Sequence, residues 1–201
     1  MILYTFLRKI ISGLISSSSN KPKEGRRKLN YPLPYIMSDE LEVMERILEE
    51  LKPKRCLEWG AGGSTLYFPR KYEFIKLWFS IEHNMEWFEK LKSKVPTNVE
   101  LFLAKDIEEY VLYPVQEGKF NFIFIDGKWR RLCMYVASKI LDENGLCLLH
   151  DSSRPRYRPA FNFFLHHEKL TEGTGKSDGL HAFWNINLLI NLKKITQKSP
   201  N

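Results

Sequence analysis

The sequence contains little cysteine and no cysteine motif. Its three cysteines, Cys56, Cys133 and Cys147, are far apart, and each stands beside apolar residues. No Cys-x-x-Cys pair and no cysteine–histidine ligand pattern occurs, which argues against a zinc or redox motif. We therefore expect reduced thiols in the core of a cytoplasmic protein.

The chain also lacks an uninterrupted apolar run that could span a bilayer. Its first segment, MILYTFLRKIISGLISSSSN, repeats apolar residues at helical spacing, but Arg8 and Lys9 interrupt it. No basic residue precedes Arg8, so the charge pattern of a signal peptide is missing. We expect a helix that packs on the body of the protein or on the partner subunit of a homo-oligomer. Peripheral membrane contact, helped by the basic stretch KPKEGRRK, is the alternative.

Charge is distributed unevenly along the 201 residues, whose net charge is +7. Seven basic residues and one acidic residue fall within residues 1–30, which gives this segment +6 and leaves +1 for the rest. A nearly neutral body favours a small-molecule acceptor over nucleic acid as partner. A nucleic-acid modifier recruited by the basic segment is the alternative. The composition predicts a basic arm and linker over residues 1–30 and a single domain over residues 31–201.

No internal repeat is present, and the body alternates short apolar runs with helical patterns. The clearest helix is SDELEVMERILEELK, with Ser38 or Asp39 as its N-cap. Five strand-like runs follow, separated by helical segments: RCLEW, IKLWFSIE, VELFLAK, FNFIFID and GLCLLHD. Because each crossover must return over the sheet, this order predicts a doubly wound, mainly parallel α/β sheet with helices on both faces.

The pattern changes after Asp151. The segment AFNFFLHHE predicts a helix, and LHAFWNINLLINLKK predicts one or two strands with a turn near Asn185 to Asn187. We therefore expect an antiparallel hairpin at the C-terminal edge of the sheet.

A glycine-rich turn follows the first strand in the segment CLEWGAGGSTLY. Glycine permits positive φ values and lets a ligand approach the backbone closely. A dinucleotide fingerprint would need a third glycine where Thr65 stands, so that motif is broken. Glu58, two places before Gly60, can accept hydrogen bonds from a cationic amino group, whereas a pyrophosphate would be repelled.

The segment LEWGAGGST resembles the E-x-G-x-G motif of class I S-adenosylmethionine-dependent methyltransferases, and the similarity extends over about residues 54 to 185. It implies a Rossmann-like fold, S-adenosylmethionine as cofactor, and Glu82 as acceptor of both ribose hydroxyls. It also implies that His83 and Met85 line the adenine and that Asp106 recognises its ring, although Asp106 is equally a plain helix N-cap. The expected cofactor-binding residues are Glu58, Gly60, Ala61, Gly62, Ser64, Glu82, His83, Asp106 and Asp126.

Candidate catalytic residues follow the fourth and fifth strands, namely Asp126, His150 and Asp151. The Asn/Asp-Pro-Pro-aromatic motif of nucleobase methyltransferases is missing after the fourth strand, which argues against base methylation. The pair Asp126 and Asp151 resembles the metal positions of catechol-type O-methyltransferases and implies Mg²⁺ at Asp126, Asp151 and Ser152. That family usually has asparagine where this chain has Ser152. Without metal, His150 or Asp151 is the expected general base.

The loop HDSSRPRYRP supplies the expected acceptor-binding residues Arg154, Arg156 and Tyr157, with Arg158 beside them. Arginine pairs with carboxylate or phosphate, and Lys128, Arg130 and Arg131 add positive charge near the same rim, so we expect an anionic acceptor. The series IDG…R…HD…R…Y resembles a poorly characterised methyltransferase branch. We expect a methyltransferase acting on an oxygen of a small or sugar-like acceptor. A binding or scaffold protein that keeps the fold without catalysis is the alternative.

Overall fold

The computed structural model describes residues 3–5, 7–8, 34–173, 178–186, 188 and 190–196. The strands are β1 (Arg55–Trp59), β2 (Leu77–Glu82), β3 (Val99–Leu103), β4 (Phe120–Ile125), β5 (Leu141–His150), β6 (His166–Lys169) and β7 (Leu180–Trp184). The helices are α1 (Ser38–Leu51), α2 (Gly63–Lys71), α3 (Met85–Lys92), α4 (Ile107–Leu112), α5 (Arg130–Ile140), α6 (Arg158–Phe161) and α7 (Leu192–Thr196). Short 3-10 turns lie at Tyr113–Val115 and Pro155–Tyr157.

The seven strands form one sheet in the order β3-β2-β1-β4-β5-β7-β6. The first five strands run parallel, whereas β7 is antiparallel to both β5 and β6. The prediction of a doubly wound, mainly parallel sheet with an antiparallel edge hairpin is confirmed.

The hairpin is built from different residues than expected. His166–Lys169 forms β6, although the sequence predicted a helix through these residues, and α6 covers only Arg158–Phe161. After β7 the chain bends at residues 185–186 and forms α7 over Leu192–Thr196, so this segment supplies one of the one or two strands that were predicted. Strand β6 exists because its backbone pairs with β7, a tertiary contact that local propensity does not reveal. Asn187 lies outside the described residues.

The core lies on both faces of the sheet. Leu57 and Trp59 of β1 belong to one apolar cluster, and Cys56 belongs to the other, as the alternation of side chains along a strand requires. Cys56, Cys133 and Cys147 are free and fully buried, and burial raises the pKa of each thiol. The expected core thiols are confirmed.

Part of the N-terminal segment packs on this core. Residues 3–5 and 7–8 are helical, and the side chain of Leu7 is fully buried within the apolar cluster that contains Trp59. Arg8 also pairs with Glu108 of α4 at 2.8 Å. These contacts support a helix that packs on the body. Within the described part of the chain, no helix has the length and apolar character that a bilayer crossing requires.

The turns after β1 and β4 touch through their glycines. Gly60 has a φ of +99°, and a Cβ at this position would lie 2.6 Å from the backbone of Gly127. At Gly127, a Cβ would lie 1.9 Å from the hydroxyl oxygen of Tyr110. The amide of Gly60 donates to Ile81 O over 2.9 Å, which ties the same turn to β2. The positive φ that the sequence predicted for this turn occurs at Gly60, and the contact between the two turns also requires glycine there.

We predict that Gly60→Ala lowers the free energy of unfolding by about 2–4 kcal/mol, because it adds a backbone clash to an unfavourable positive φ. Gly118→Ala is the matched control, since Gly118 has a φ of +90° but its added Cβ would meet no described atom within 4 Å. The control should cost only about 1–2 kcal/mol. Urea denaturation measures both, and equal losses would show that the contact between the turns has no energetic role.

Candidate functional site

The parallel register brings the carboxyl ends of four strands to one edge of the sheet. Trp59 lies opposite both Ile81 and Ile125, and Ile125 lies opposite Leu149. The residues that follow in the chain therefore share this edge: Gly60, Glu82, Asp126 and His150.

Glu58 is buried inside the protein and does not face this edge. Its side chain has no exposed surface, and its oxygens accept hydrogen bonds from four side chains: Ser64, Thr65 (2.6 Å), Ser80 (2.5 Å) and Trp78 (2.8 Å). Burial raises the pKa of Glu58, and these hydrogen bonds oppose that rise. The expectation that Glu58 grips a cationic amino group is wrong for this geometry, because every donor that it meets is internal.

Glu58 and Trp87 both make hydrogen bonds to the glycine-rich loop, residues 60–65. Ser64 donates to Glu58, so this expected cofactor-binding hydroxyl also serves the loop. The indole Nε1 of Trp87 donates to Ala61 O over 2.7 Å. Gly62 is different, since a Cβ placed there would meet no described atom within 4 Å. Gly62 thus has open space beside its backbone.

Glu82 ends β2 with one carboxylate oxygen fixed. Oε1 accepts the backbone amides of His83 (2.8 Å) and Asn84 (2.7 Å). Among the described residues, none donates a hydrogen bond to Oε2. The side chain is nearly buried, with 5% exposure. Glu82 therefore ends the second strand, as the sequence predicted, with an oriented carboxylate; its contact with the ribose hydroxyls stays a prediction.

Aromatic rings surround His83. Its ring meets Tyr110 and Trp129 edge-on, at centroid distances of 5.7 and 5.6 Å. Trp129 adopts a φ of +46°, a conformation that bulky residues rarely occupy outside functional or strained sites. His83 Nδ1 lies 2.9 Å from Glu82 Oε1, but its direction does not satisfy hydrogen-bond geometry, and no other described residue gives this buried atom a partner.

Asp106 and Met85 are exposed at the same edge. Asp106 Oδ1 accepts the amide of Glu109 over 2.8 Å, which makes it the N-cap of α4. Met85 at the start of α3 is 59% exposed, unusual for a large apolar side chain. Their contact with adenine stays a prediction.

Asp126 and Arg130 form the centre of an ion-pair network. Arg130 is buried, and its five N–H groups have five acceptors. Nε donates to Gly127 O (2.9 Å), Nη2 donates to Asp126 O (2.8 Å) and Oδ1 (2.9 Å), and Nη1 donates to His150 O and Asp151 Oδ2 (3.4 Å). The sequence predicted that Arg130 lies on a positive rim, whereas all five N–H groups of its guanidinium donate to acceptors inside the protein.

His150 lies between two carboxylates. Its Nδ1 is 2.7 Å from Asp126 Oδ1, and its Nε2 is 3.2 Å from Oε2 of Glu40 in α1. Burial alone would lower the pKa of His150, but the hydrogen bonds to Asp126 and Glu40 outweigh it and raise the pKa to about 10. His150 is therefore an imidazolium at neutral pH. A general base must be unprotonated at the working pH, so this environment argues against that role for His150, and the expectation stays a prediction.

Asp151 is neutralised by two arginines. Its Oδ2 lies 3.4 Å from Arg130 Nη1 and 2.7 Å from Arg154 Nη2, and Oδ1 accepts the amide of Asp178 over 3.2 Å. Arg154 also pairs with Asp178 Oδ2 at 2.6 Å. Arg154 thus has two anionic partners within the protein, and its expected role as a clamp for the acceptor stays a prediction.

The residues of the expected Mg²⁺ site do not fit a divalent cation. Asp126, His150 and Asp151 do bring ligand atoms within 4.8 Å of one another. However, His150 is a cation with both nitrogens engaged, and Arg130 bridges the two carboxylates. Ser152 donates its hydroxyl to Gly179 O over 3.2 Å. A metal ion would have to displace the basic side chains that already form ion pairs with the carboxylates of Asp126 and Asp151.

The remaining acceptor-binding candidates lie in different environments. Tyr157 is buried, with its ring 5.9 Å from the guanidinium carbon of Arg130 and its hydroxyl accepting a hydrogen bond from Arg156 (3.0 Å). It packs in an apolar cluster of the core, and its contact with substrate stays a prediction. Arg156 and Arg158 are exposed, and their contact with the acceptor stays a prediction.

Several solved structures resemble this chain, whereas no family model and no curated protein matches it. A Staphylococcus aureus protein assigned as a caffeoyl-CoA O-methyltransferase superposes with a TM-score of 0.57 at 15% identity, over 89% of this chain and 90% of that one. A methyltransferase-like protein from Silicibacter pomeroyi gives 0.56 at 17% identity, over 82% and 97%. The 16S rRNA N2 G1207 methyltransferase of T. thermophilus, solved with AdoMet and guanosine, gives 0.54 at 18% identity, over 75% of this chain and 44% of that one.

This chain has the fold of the S-adenosylmethionine-dependent methyltransferases. At these identities the likeness establishes the fold and not the acceptor. One of the proteins with this methyltransferase fold acts on rRNA. The expectation that nucleic acid is not a partner therefore stays a prediction.

Sequence reasoning missed four residues that shape the site of this methyltransferase fold: Glu40, Trp87, Trp129 and Arg130 in its bridging role. Arg130 stands four residues after Asp126, a helical i,i+4 spacing that could have suggested the pair. Glu40 lies 110 residues before His150, and nothing in the local pattern links them.

We predict that His150→Gln destabilises the protein more at pH 6.5 than at pH 10. The folded pKa of about 10 lies above the ordinary value of 6.5, so the stabilisation by the imidazolium is complete below pH 6.5 and is lost as the pH rises through 10. Removing one member of a buried ion pair costs about 3–5 kcal/mol, which we expect at pH 6.5. Urea denaturation at both pH values checks this, with exposed His166→Gln as control. A pH-independent loss would contradict the assigned charge of His150.

Proposed function

We propose that the protein is an S-adenosylmethionine-dependent methyltransferase that acts on an oxygen of a small or sugar-like acceptor. Glu82 carries this proposal, because an oriented carboxylate ends β2 of a methyltransferase fold, next to the glycine-rich loop that follows β1. The amides of His83 and Asn84 hold Oε1, which leaves Oε2 as the acceptor for the two ribose hydroxyls.

The residues around Glu82 support an adenosine site. The exposed Met85 and the rings of His83 and Trp129 offer apolar surface for the adenine. Gly62 provides open space beside the backbone for the amino-acid end of the cofactor. Since the carboxylate of Glu58 is engaged internally, we assign the recognition of the cationic amino group to the loop backbone.

Asp126 is the best candidate for orienting the acceptor. Its side chain is 29% exposed, against 12% for Asp151 and 9% for His150. Arg130 and His150 hold Asp126 in place, so its carboxylate can take the proton of the acceptor hydroxyl as that oxygen bonds to the methyl carbon and the carbon–sulfur bond of the sulfonium breaks, which leaves S-adenosylhomocysteine. The exposed Arg156 and Arg158 favour an anionic acceptor. The buried, unmodified thiols favour the cytoplasm, a reducing compartment.

We predict that the wild-type protein binds S-adenosylmethionine and S-adenosylhomocysteine and that Glu82→Gln weakens both by about 10- to 100-fold. A hydrogen bond to a charged group contributes about 1.5–3 kcal/mol, which the substitution reduces or removes. Isothermal titration calorimetry measures the affinities. Glu86→Gln is the control, because Glu86 is 79% exposed on neighbouring α3.

Two outcomes separate binding from catalysis. If the folded wild-type protein binds neither compound, the proposed function fails. If it binds both but transfers no methyl group to any of a panel of hydroxylated and anionic acceptors, the non-catalytic binding protein becomes the better account.

We predict that Gly62→Val abolishes cofactor binding while leaving the protein folded. The Cβ that it adds would meet no described atom within 4 Å, so the stability loss should stay near about 1 kcal/mol, the cost of a poor N-cap residue. Calorimetry and thermal unfolding test the two effects separately. Unchanged cofactor affinity would show that the space beside Gly62 is not part of the binding site.

A further inference from the structure

We propose that the guanidinium of Arg130, and not a divalent metal ion, is the cation that holds together the acids after β4 and β5. The reaction at this site would then need no metal, and Arg130 would be the positioning residue of Asp126. This inference rests on the proposed function only in taking Asp126 as the residue that faces the acceptor.

The order of charges around Arg130 is regular. Carboxylates and basic side chains alternate along one chain of contacts, which we call the ion-pair chain: Glu40, His150, Asp126, Arg130, Asp151, Arg154 and Asp178. Each basic side chain in it contacts a carboxylate on either side. Arg130 occupies the middle, between the two acids that a metal ion would have to bridge.

The geometry of Arg130 suits this central place. It reaches both carboxylates and also the carbonyl oxygens of Asp126, Gly127 and His150. A lysine has three donors on one nitrogen and could not reach these five acceptors from one position, whereas the planar fork of arginine can. The guanidinium therefore fixes the backbone ends of both strands as well as their acids.

A divalent ion at this place would meet two obstacles. Its carboxylate ligands already have charge-assisted hydrogen bonds from Arg130, and Nδ1 of His150 already contacts Oδ1 of Asp126 at 2.7 Å. Replacing Arg130 by an uncharged side chain should remove the first obstacle, because the two carboxylates at the adjacent strand ends would then lose the cation that they share. Hard oxygen ligands so arranged attract Mn²⁺ or Mg²⁺.

The test is a titration of Mn²⁺ with the full-length protein, without cofactor, followed by the electron paramagnetic resonance signal of the free ion. We expect the wild-type protein to leave the signal unchanged. Arg130→Met should bind Mn²⁺ at one site, at least about tenfold more tightly than wild type, and added Mn²⁺ should raise its unfolding temperature. A role limited to packing would lower stability without creating this metal affinity.

Two controls sharpen the result. Arg131→Met removes an exposed charge from the same helix and should bind no Mn²⁺. The double variant Arg130→Met/Asp151→Asn should lose the affinity that Arg130→Met gained, which places the ion at these acids.

Two results would overturn the proposal. One is that the wild-type protein binds Mn²⁺ at one site and that Asp151→Asn abolishes this binding. The other is that Arg130→Met folds but binds no Mn²⁺. If Arg130→Met does not fold, the titrations of the wild-type protein and of Asp151→Asn decide: the proposal fails if the wild-type protein binds Mn²⁺ at a site that Asp151→Asn abolishes, and it holds if the wild-type protein binds no Mn²⁺. Failure of cofactor binding leaves this result unaffected, so the proposed function and the inference are tested apart.

Discussion

The bridge from Arg130 to the ends of β4 and β5 is the contact on which the rest of the site depends. Asp126 and Asp151 follow adjacent parallel strands, and two carboxylates so close together repel each other unless a cation lies between them. Arg130 provides that cation from the first turn of α5, four residues after Asp126. His150 also contacts Asp126 and links it to Glu40 in α1. One edge of the sheet is thereby tied to two helices.

Two glutamates of similar sequence context have opposite roles. Glu58 points into the protein, where four side-chain donors hold it and where it fixes the start of α2. Glu82 ends the neighbouring strand with only Oε1 held, by backbone amides. A carboxylate with all its donors inside the fold shapes a loop, whereas a carboxylate oriented by its own backbone can recognise a ligand. Of the two positions that carry the resemblance to methyltransferases, Glu58 therefore supports the loop, whereas Glu82 has one oxygen held by its own backbone and is the one that we propose for the ligand.

The sequence predicted those features that depend on local pattern. Strand and helix alternation, the parallel sheet, the turn after β1 and the acids at strand ends all follow from short runs of residues and from the rule that parallel strands end at one edge. The partners of the polar side chains could not be predicted in this way. Whether Glu58, His150 or Arg154 faces a ligand depends on residues such as Ser80, Glu40 and Asp178, which packing alone brings near. Strand β6 was missed for the same reason, since only its pairing with β7 defines it.

A crystal structure of the protein with S-adenosylhomocysteine tests the account most directly. We expect the ribose hydroxyls on Oε2 of Glu82, the sulfur on the side of Asp126, Glu58 untouched by the ligand, and Arg130 still bridging Asp126 and Asp151. A ligand bound away from the carboxyl ends of β1, β2 and β4, or a metal ion between those two acids with Arg130 displaced, would contradict it.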